Sequence, residues 1–380
     1  MSRDWRDDPE AVATFQEHLL AWYGAHKRQM NWRDSANPYH IWISEIMLQQ
    51  TRVEQMGAYF DRFIAAFPTV EALAAASTDE VLKVWEGLGY YARARNMHRA
   101  AQRVVDELGG RIPDTYAGLI DLPGIGEYTA AAVASIAFDR DHPVLDGNAT
   151  RVLCRLLRIA GDPKKAAVKA ELIAAGETLL ARGVAGDFNQ AMMELGARIC
   201  TPRNPHCANC QVEELCRARA ELEDPTALPY KKPKKQKPHY QVACGIIRKG
   251  ECLLIAQRPS EGMLGGLWEF PGGKQEEGES LAECLVREIR EEMAIEIEVG
   301  DKLTSVDHGY THFSITLHAL AARYLSGEPQ TVGCADWAWI LPEQLDDYAL
   351  PRADRHIVDY MRRGGLQWGL FGAGEDREKE

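Results

Sequence analysis

A stretch of prolines and like charges divides this sequence into two parts with different periodicities. Between residues 222 and 238 the chain reads LEDPTALPYKKPKKQKP, where prolines and repelling lysines disfavour a packed element and predict an extended connector. Before it, from Pro9 to about Ala220, apolar residues recur at helical spacings, as in Val12, Phe15, Leu19 and Trp22. After it, alternating runs predict strands. We therefore expect two domains, an all-α domain followed by an α+β domain.

The length of the chain agrees with this division, because 380 residues exceed what one hydrophobic core usually supports. The predicted boundaries are a helical domain at 1–221, a connector at 222–238, an α+β domain at 239–367 and a disordered polar tail at 368–380.

Two strand pairs and one helix are predicted within the second domain. YQVACGIIRKGECLLIAQ predicts two strands with a turn at Lys249 and Gly250, and LTSVDHGYTHFSITLHALAARYL predicts another pair. A helix from about Ser280 to Met293 lies between the pairs.

Composition narrows the class of protein. With 46% apolar and 26% charged residues the chain is globular, and it contains no apolar run long enough to cross a bilayer. The start MSRDWRDD lacks the features of a signal peptide, so we expect a cytoplasmic protein with no membrane partner. The net charge of -12 disfavours a nucleic-acid partner, but it is a weak guide because the charges are unevenly distributed. A basic run contains Lys231, Lys232, Lys234, Lys235 and Lys237.

Nine cysteines in a chain without an export signal favour reduced or metal-bound thiols over disulfides. Four of them, Cys200, Cys207, Cys210 and Cys216, are closely spaced around prolines, as in a loop that wraps a metal centre. Their spacing alone leaves both zinc and a [4Fe-4S] cluster open. The other five are predicted to be small core residues, namely Cys154, Cys244, Cys252, Cys284 and Cys334.

A glycine-containing turn and two carboxyl groups suggest chemistry in the helical domain. In LPGIG, Gly124 and Gly126 would let backbone N–H groups approach a phosphate, although such a turn is often only a turn. Asp146 follows an apolar run and either caps a helix or serves as a functional carboxylate. Glu45 has apolar neighbours, so desolvation should raise its pKa and keep it protonated near neutral pH. An acid and a carboxylate are what hydrolysis of an N-glycosidic bond requires.

Five motifs in order, SEIMLQQT, GLGYYARARN, LPGIGEYTA, VLDGNATR and the four-cysteine array, closely resemble the MutY family of adenine DNA glycosylases. That family belongs to the helix-hairpin-helix superfamily, which includes endonuclease III. The resemblance covers residues from about 10 to 220. It implies a helix-hairpin-helix glycosylase domain that binds DNA in a cleft, with a [4Fe-4S] cluster held by the loop at 200–216.

The resemblance also implies roles for individual residues. Glu45 corresponds to the acid that protonates adenine N7, and Asp146 to the carboxylate that stabilises the oxocarbenium ion or bonds briefly to the sugar. Tyr128 and Asn148 correspond to supporting groups. The residues at positions where the family lines its adenine pocket are Trp32, Arg33, Leu48, Gln50, Thr51 and Gln190. Gln49 and Tyr90 match residues that wedge into the base stack, which helps to offset the cost of flipping a base.

Tyr128 stands where endonuclease III-like enzymes carry a lysine nucleophile that forms a Schiff base and cleaves the strand. The resemblance therefore implies a monofunctional glycosylase. Its partner would be double-stranded DNA with adenine opposite 8-oxoguanine or guanine, and enzymes of this type generally act as monomers. In the cell it would associate with the nucleoid through DNA.

Residues 273–295 match the Nudix box, G-x5-E-x7-R-E-U-x-E-E-x-G-U, at every fixed position except Ala294. On a helix Glu288, Glu291 and Glu292 share one face, where solvent or Mg²⁺ would relieve their repulsion. In the MutY family this domain resembles the hydrolase MutT, usually lacks the box and reads 8-oxoguanine. We favour a lesion-reading Nudix-like domain here. The alternative is magnesium-dependent hydrolysis of an oxidised nucleoside triphosphate, against which Ala294 counts mildly.

The segment HGYTHFSITLH departs from the Phe-Ser-His motif with which relatives contact 8-oxoguanine. Ile315 follows Phe313 and Ser314, and the nearest histidine, His312, precedes them. We expect His312 and Ser314 to contact the lesion. A third functional class, a damage sensor that binds without cutting, is disfavoured because Glu45 and Asp146 are both present.

Overall fold

The computed structural model describes residues 5–33, 35, 37–51, 53–232 and 236–365, which form two compact units. The first unit comprises residues 1–75 and 96–234, and the second comprises residues 76–95 and 235–380. Segment 76–95 lies inside the range expected for the helical domain but packs within the second unit. Lys234, Lys235 and the predicted tail at 368–380 lie outside the described residues. Within those described, no helix is long and apolar enough to cross a membrane.

The first unit is helical, as predicted. Its described helices are α1 (Pro9–His26), α2 (Pro38–Leu48), α3 (Val53–Ala66), α4 (Val70–Ala75), the greater part of α6 (Ala92–Leu108), α7 (Tyr116–Ile120), α8 (Glu127–Phe138), α9 (Gly147–Leu156), α10 (Ala166–Leu179), α11 (Ala185–Arg198) and α12 (Arg217–Glu221). The second unit contains α5 (Thr78–Trp85) and the first residues of α6.

The helical periodicity of α1 is confirmed, because Phe15, Leu19 and Trp22 are buried in one apolar cluster with side chains of α9 and α11. Val12 packs against the same cluster while remaining partly exposed. The spacing of three and four therefore marked the face that the helix buries.

Glycines set the close approach of helices in the first unit. A Cβ at Gly196 on α11 would lie 2.7 Å from Cβ of Asn148 on α9, and a Cβ at Gly186 would lie 2.7 Å from the carbonyl oxygen of Ser135 on α8. Gly124, in the turn between α7 and α8, has a φ of 74°, and a Cβ there would be 2.4 Å from Cβ of Asn96. No larger residue fits these three places without displacement.

The start of the predicted connector is more structured than expected. Asp224 caps a short 3-10 turn at Pro225–Ala227, and Leu228 is buried. The Leu228 carbonyl accepts a hydrogen bond from Arg155 Nε at 2.9 Å. A local cap and one arginine thus hold a proline-rich stretch against the first unit.

A mixed sheet forms the centre of the second unit. Its strands run in the order β3-β2-β1-β6-β5, with β4 paired to β1 and β7 paired to β2. Among the strands of the described residues, only β1 and β6 pair in parallel. The strands are β1 (His239–Lys249), β2 (Cys252–Gln257), β3 (Trp268–Glu269), β4 (Gly272–Lys274), β5 (Glu296–Gly309), β6 (Ser314–Ser326) and β7 (Asp336–Ile340).

One helix covers each face of this sheet. Alternate residues of β1 and β2 point to opposite faces, where α13 (Leu281–Met293) buries Leu285 and Ile289 on one side and α14 (Arg352–Tyr360) buries Ile357 on the other. Ser280 and Glu283 form a capping box that begins α13. Both predicted strand pairs and the predicted helix are therefore confirmed.

The segment 76–95 is held within the second unit by polar contacts. Lys83 Nζ donates to the Tyr348 carbonyl at 3.1 Å, and Arg355 Nη2 donates to Glu86 Oε2 at 3.3 Å. These contacts join residues far apart in the chain, which no periodic pattern indicates.

Five cysteines were expected to be core residues. Cys154, Cys244 and Cys284 are buried, as predicted. The prediction was wrong for Cys252, which is only partly buried, whereas Cys334 is partly buried but packs against an apolar cluster of the second unit.

Candidate active site

A cavity of about 180 Å³ in the first unit brings together residues from α2, α8, α9, α11 and the loop before α2. Glu45, Tyr128, Asp146 and Asn148, predicted to act in catalysis, all line it. So do the predicted pocket residues Trp32, Arg33, Leu48, Thr51 and Gln190. Residues that lie far apart in the sequence of the first unit therefore line the same cavity.

Glu45 lies on the buried face of α2 and is only 6% exposed. Burial raises its pKa to about 7, because desolvation disfavours the charged form. A hydrogen bond from Tyr128 and the charge of Arg33 lower this pKa, whereas the charge of Asp146 raises it. Near neutral pH the side chain can therefore hold and release a proton.

Tyr128, in the first turn of α8, donates a hydrogen bond from its hydroxyl to Oε2 of Glu45. Burial raises the pKa of Tyr128 well above its usual range, so the phenol keeps its proton and can only donate to a carboxylate. The bond fixes one carboxyl oxygen of Glu45 and leaves Oε1 as the oxygen able to meet a substrate atom.

Asp146 is both a helix cap and a lining residue of the cavity. Its Oδ1 accepts a hydrogen bond from the Ala149 backbone N–H at 2.6 Å, which caps α9. Its Oδ2 accepts one from Asn148 Nδ2 at 2.9 Å. The two interpretations of this residue are compatible, because the cap fixes the carboxylate at the cavity.

Arg151 connects Asn148 to the cysteine loop. Its Nη2 donates to Asn148 Oδ1 at 2.8 Å and to the Gly196 carbonyl at 2.7 Å, while its Nε donates to the Cys200 carbonyl at 2.7 Å. Arg151 was not predicted from the sequence. In VLDGNATR it follows Asn148 by three residues, and this helical spacing is the sequence signal that places the two side chains on one face of α9.

Glu194 and Arg28 also line the cavity, although neither was predicted from the sequence. Glu194 is 1% exposed, and its pKa is lowered because hydrogen bonds and charges of Arg28 and Arg33 outweigh the effect of burial. Gln190, Met193, Glu194 and Ala197 recur on α11 at spacings of three and four, so they share one face. That spacing from the predicted Gln190 is the available sequence signal.

Gln50 does not line the cavity, contrary to the placement expected for it. After α2 ends, Gln50 adopts a left-handed backbone with φ of 60°. It lines an adjoining groove of about 670 Å³ together with Gln49, Gly124 and Gly126. Gln49 Nε2 donates to Thr129 Oγ1 at 2.9 Å. The predicted wedge and hairpin residues of the first unit thus face one groove.

The hydroxyl of Thr51 is buried in the cavity wall and has no hydrogen-bond partner among the described residues. Buried hydroxyls are normally bonded, because leaving one unpaired costs free energy. The hydroxyl is therefore an unsatisfied hydrogen-bonding group in the cavity wall.

The four predicted ligand cysteines line a second cavity, of about 30 Å³. Arg155 donates from Nη1 to Cys200 Sγ at 3.4 Å, and its carbonyl accepts from Cys216 Sγ at 3.7 Å. Across the described residues, no three His, Cys, Asp or Glu side chains are placed to share one metal ion. The thiols thus surround a common small space with a cation beside them.

In the Nudix box of the second unit, Arg287 binds several of the carboxylates. It donates to Glu279 Oε1 at 2.8 Å, to Glu288 Oε1 at 2.9 Å and to Glu291 Oε2 at 3.2 Å. Solvent or Mg²⁺ was expected to relieve the repulsion between the glutamates, but this arginine relieves part of it. Burial and the neighbouring carboxylates, Glu269 first, raise the pKa of Glu292 to about 7.

Ala294 occupies the box position that usually holds glycine. It caps α13 in the left-handed conformation, with φ of 56°. The turn of the box is thus formed despite the side chain, at the modest cost of a left-handed alanine.

The loop between β5 and β6 carries the predicted lesion-reading residues. Ser314 already pairs its hydroxyl with His239 Nδ1 at 2.9 Å, whereas His312 is exposed at the turn. The Thr311 hydroxyl lies 2.8 Å from the hydroxyl of Tyr90, which is 46% exposed and has φ of 49°. Thr311 was not predicted, and its position in a hairpin tip beside His312 is the only signal for it.

Comparison with known protein families gives two matches. Residues 43–175 match the HhH-GPD superfamily base excision DNA repair protein model, and residues 242–360 match the NUDIX domain model.

The chain is also similar to individual proteins. It is 34% identical to an adenine DNA glycosylase of Rattus norvegicus, over 93% of this chain and 79% of that protein. It is 33% identical to one from Buchnera aphidicola subsp. Acyrthosiphon pisum, over 81% of this chain and 86% of that protein. A solved thermostable thymine-DNA glycosylase covers 55% of this chain and 96% of its own length, with 30% identity and a TM-score of 0.51. The chain therefore belongs to the MutY family of adenine DNA glycosylases.

Proposed function

We propose that this chain is a monofunctional DNA glycosylase that removes adenine mispaired with 8-oxoguanine or guanine, in base excision repair. The observation that carries the proposal is that Glu45 and Asp146 line the same cavity. One is a buried acid with a pKa of about 7, and the other is a carboxylate fixed at the start of α9. An adenine nucleoside flipped out of the duplex would meet both.

The reaction follows from these positions. Glu45 donates its proton to N7 of adenine, which weakens the bond between N9 and the sugar carbon C1′. As that bond breaks, its electron pair leaves with the base, and the Asp146 carboxylate stabilises the positive charge on the sugar. Water then adds its oxygen to C1′, and the proton it loses passes to the Glu45 carboxylate, which restores the acid. The products are free adenine and an abasic site.

Tyr128 and Asn148 support this pair. The Tyr128 hydroxyl orients Glu45, and the Asn148 amide holds Oδ2 of Asp146. The cavity contains arginines but, within the described part of the chain, no lysine that could form a Schiff base. The strand should therefore stay intact after excision.

The remaining predicted residues would bind the DNA around the flipped base. Gly124 and Gly126 would offer backbone N–H groups to a phosphate at the groove they share with Gln49. Gln49 and Tyr90 would act as wedges, and His312 and Ser314 would contact the purine opposite adenine. Thr311 joins this set because its hydroxyl is beside Tyr90.

A [4Fe-4S] cluster fits the four cysteines of the 200–216 loop. They line one cavity, and Arg155 places a cation beside Cys200 that would stabilise thiolate charge. Cys200, Cys207, Cys210 and Cys216 would hold the cluster. When bound, it would crosslink a loop poor in regular structure. Iron and acid-labile sulfide in equal amounts are expected, whereas zinc without sulfide would contradict this assignment.

The enzyme would act as a monomer on chromosomal DNA, hence at the nucleoid in the cytoplasm. Its C-terminal unit would read the lesion, and Mg²⁺ would have a role in that unit only if Glu288, Glu291 and Glu292 bound it.

A duplex with one adenine opposite 8-oxoguanine tests the function. After incubation and hot alkali, we expect strand breakage at that adenine with the native chain and none with D146N. Asparagine still caps a helix, so the variant should fold. Without alkali the native chain should leave the strand whole. No breakage with the native chain, or breakage with D146N, would refute the proposal.

A further inference from the structure

Glu194 is a buried carboxylate in the wall of the cavity, surrounded by arginines. Arg28 binds it through two parallel hydrogen bonds, from Nε to Oε1 at 2.7 Å and from Nη2 to Oε2 at 3.0 Å. Arg33 Nη2 donates to Oε2 at 3.2 Å, and Arg198 Nη1 lies 3.8 Å from Oε1. Both oxygens of the carboxylate are therefore occupied by cations.

Stability alone is a weak explanation for this cluster. A buried ion pair is often no more stabilising than well-packed apolar residues of the same volume, because both charges lose their hydration. Here the pairs line the cavity that also contains Glu45 and Asp146. Their place in the molecule points to a role in the site.

Arg33 is held at several points. Its Nη1 donates to the Arg28 carbonyl at 3.0 Å, its Nη2 donates to Glu194, and its guanidinium carbon lies 5.7 Å from the centre of the Tyr23 ring. The side chain is only 12% exposed. Glu194 is the anion among these contacts, so its loss would remove the strongest restraint on the guanidinium.

Arg33 acts on Glu45 through its charge. Arg28 and Glu194 line the same cavity as Glu45, but the groups that affect the pKa of Glu45 are three, namely Tyr128 from α8, Asp146 from α9 and Arg33 from the loop before α2. Of these three, Arg33 carries the positive charge. Its positive charge stabilises the negative charge that Glu45 gains when it gives up its proton.

We propose that Glu194 is a positioning residue of the adenine site, which holds the Arg33 guanidinium in the cavity wall against the flipped base and the carboxyl group of Glu45. This inference rests on the proposed excision of adenine. It assigns to Glu194 a role that acts through Arg33 and not through contact with the reacting atoms.

The test compares E194Q, R33M and the double variant in single-turnover excision from the adenine:8-oxoguanine duplex. Glutamine keeps the shape of the side chain but removes its charge. Its NH₂ group also replaces one accepting oxygen, so a donor would face the donors of the arginines. We expect the rate constant at saturating enzyme to fall by on the order of 10- to 100-fold, as for a misplaced active-site group, with a smaller change in the duplex dissociation constant. The double variant should be no slower than R33M, because the two residues act as one unit.

The pH profile separates positioning from general loosening of the fold. Arg33 lowers the pKa of Glu45, so its displacement should raise that pKa and move the alkaline limb of the rate profile to higher pH in both E194Q and R33M. A change that only destabilised the protein would lower its melting temperature without moving the limb.

Glu221 provides a matched control. It also binds two arginines, Arg158 at 2.7 Å and Arg217 at 3.0 Å, but it does not line the cavity. E221Q should therefore keep the native rate and pH profile.

The inference would be overturned if E194Q kept the native excision rate and pH profile. It would also be overturned if the losses in rate of the two single variants multiplied in the double variant. If E194Q does not fold, E194D takes its place. The shorter aspartate side chain should draw Arg33 back, so the excision rate should fall and the alkaline limb should move to higher pH, each by less than in E194Q. An E194D variant with the native rate and pH profile would count against the inference. A native chain that does not excise adenine would instead refute the proposed function.

Discussion

The hydroxyl of Tyr128 donates a hydrogen bond to the buried carboxyl group of Glu45, across two helices that are far apart in the chain. This bond stabilises the charged form of Glu45 and so opposes the effect of burial on its pKa. The pKa of about 7 is the balance of these effects. The pH dependence of excision should therefore report on this contact.

We expect the single-turnover rate of the native chain to fall as pH rises through about 7, where Glu45 loses its proton. In Y128F the hydrogen bond that lowers the pKa is absent, so the alkaline limb should move to higher pH. Rates measured from about pH 5 to 9 would show this. A limb that stays in place or moves to lower pH in Y128F would contradict the assignment of Glu45 as the acid.

G196A should disturb the active site from outside the cavity. The added Cβ would lie 2.7 Å from Asn148 Cβ and 2.9 Å from the Asn148 carbonyl oxygen, so α9 must shift and carry Asn148 and Asp146 with it. We expect a loss of about 1–3 kcal/mol in the free energy of unfolding and a slower excision rate.

G24A is the control for that substitution. Gly24 lies within α1 and has no atom within 4 Å of an added Cβ. Alanine should raise the stability by about 0.5–1 kcal/mol and leave the excision rate unchanged. Equal effects of the two alanines, measured by urea unfolding and single-turnover assays, would refute the close-packing argument.

Thr51 offers a test of the empty hydrogen-bonding position in the cavity. Valine has the same shape but lacks the hydroxyl, which is buried without a partner among the described residues. T51V should be as stable as the native chain or more stable by about 1 kcal/mol. If the hydroxyl forms a hydrogen bond with the substrate, the single-turnover excision rate of T51V should be lower by roughly 2- to 10-fold, which corresponds to the loss of one hydrogen bond. Lower stability with unchanged excision would show that Thr51 serves the fold instead.

If the second unit only reads the lesion, the chain should show no hydrolysis of nucleoside triphosphates despite its nearly complete Nudix box. Arg287 already pairs with Glu288 and Glu291, which leaves less negative charge for a magnesium ion. We expect no magnesium-dependent turnover of 8-oxo-dGTP by the full chain, and native excision by E291Q. Turnover that disappears in E291Q would establish the alternative, a second active site.

Much of the local structure was predictable because short-range physics determines it. The apolar spacing of Phe15, Leu19 and Trp22 marked the buried face of α1, and Gly250 marked the turn between β1 and β2. The apolar neighbours of Glu45 predicted its burial and raised pKa. Each of these follows from residues within a few positions of one another.

Other features depend on contacts between distant residues. Leu228 in the predicted connector is held by Arg155, which lies 73 positions earlier in the chain. The assignment of segment 76–95 to the second unit depends on pairs such as Glu86 with Arg355. No periodicity or motif encodes such pairs.

The sequence by itself therefore determined the two kinds of domain, the motifs that define the family, and the types of residue available for chemistry, since periodicity, turn residues and motif spacing are local properties. Tertiary structure alone decided which side chains meet. Arg28 and Glu194 are 166 positions apart in the chain, and they form a pair only because α11 packs beside the loop before α2. Packing, and not local preference, selects such partners, because their attraction is short-ranged and acts only after the helices have come together.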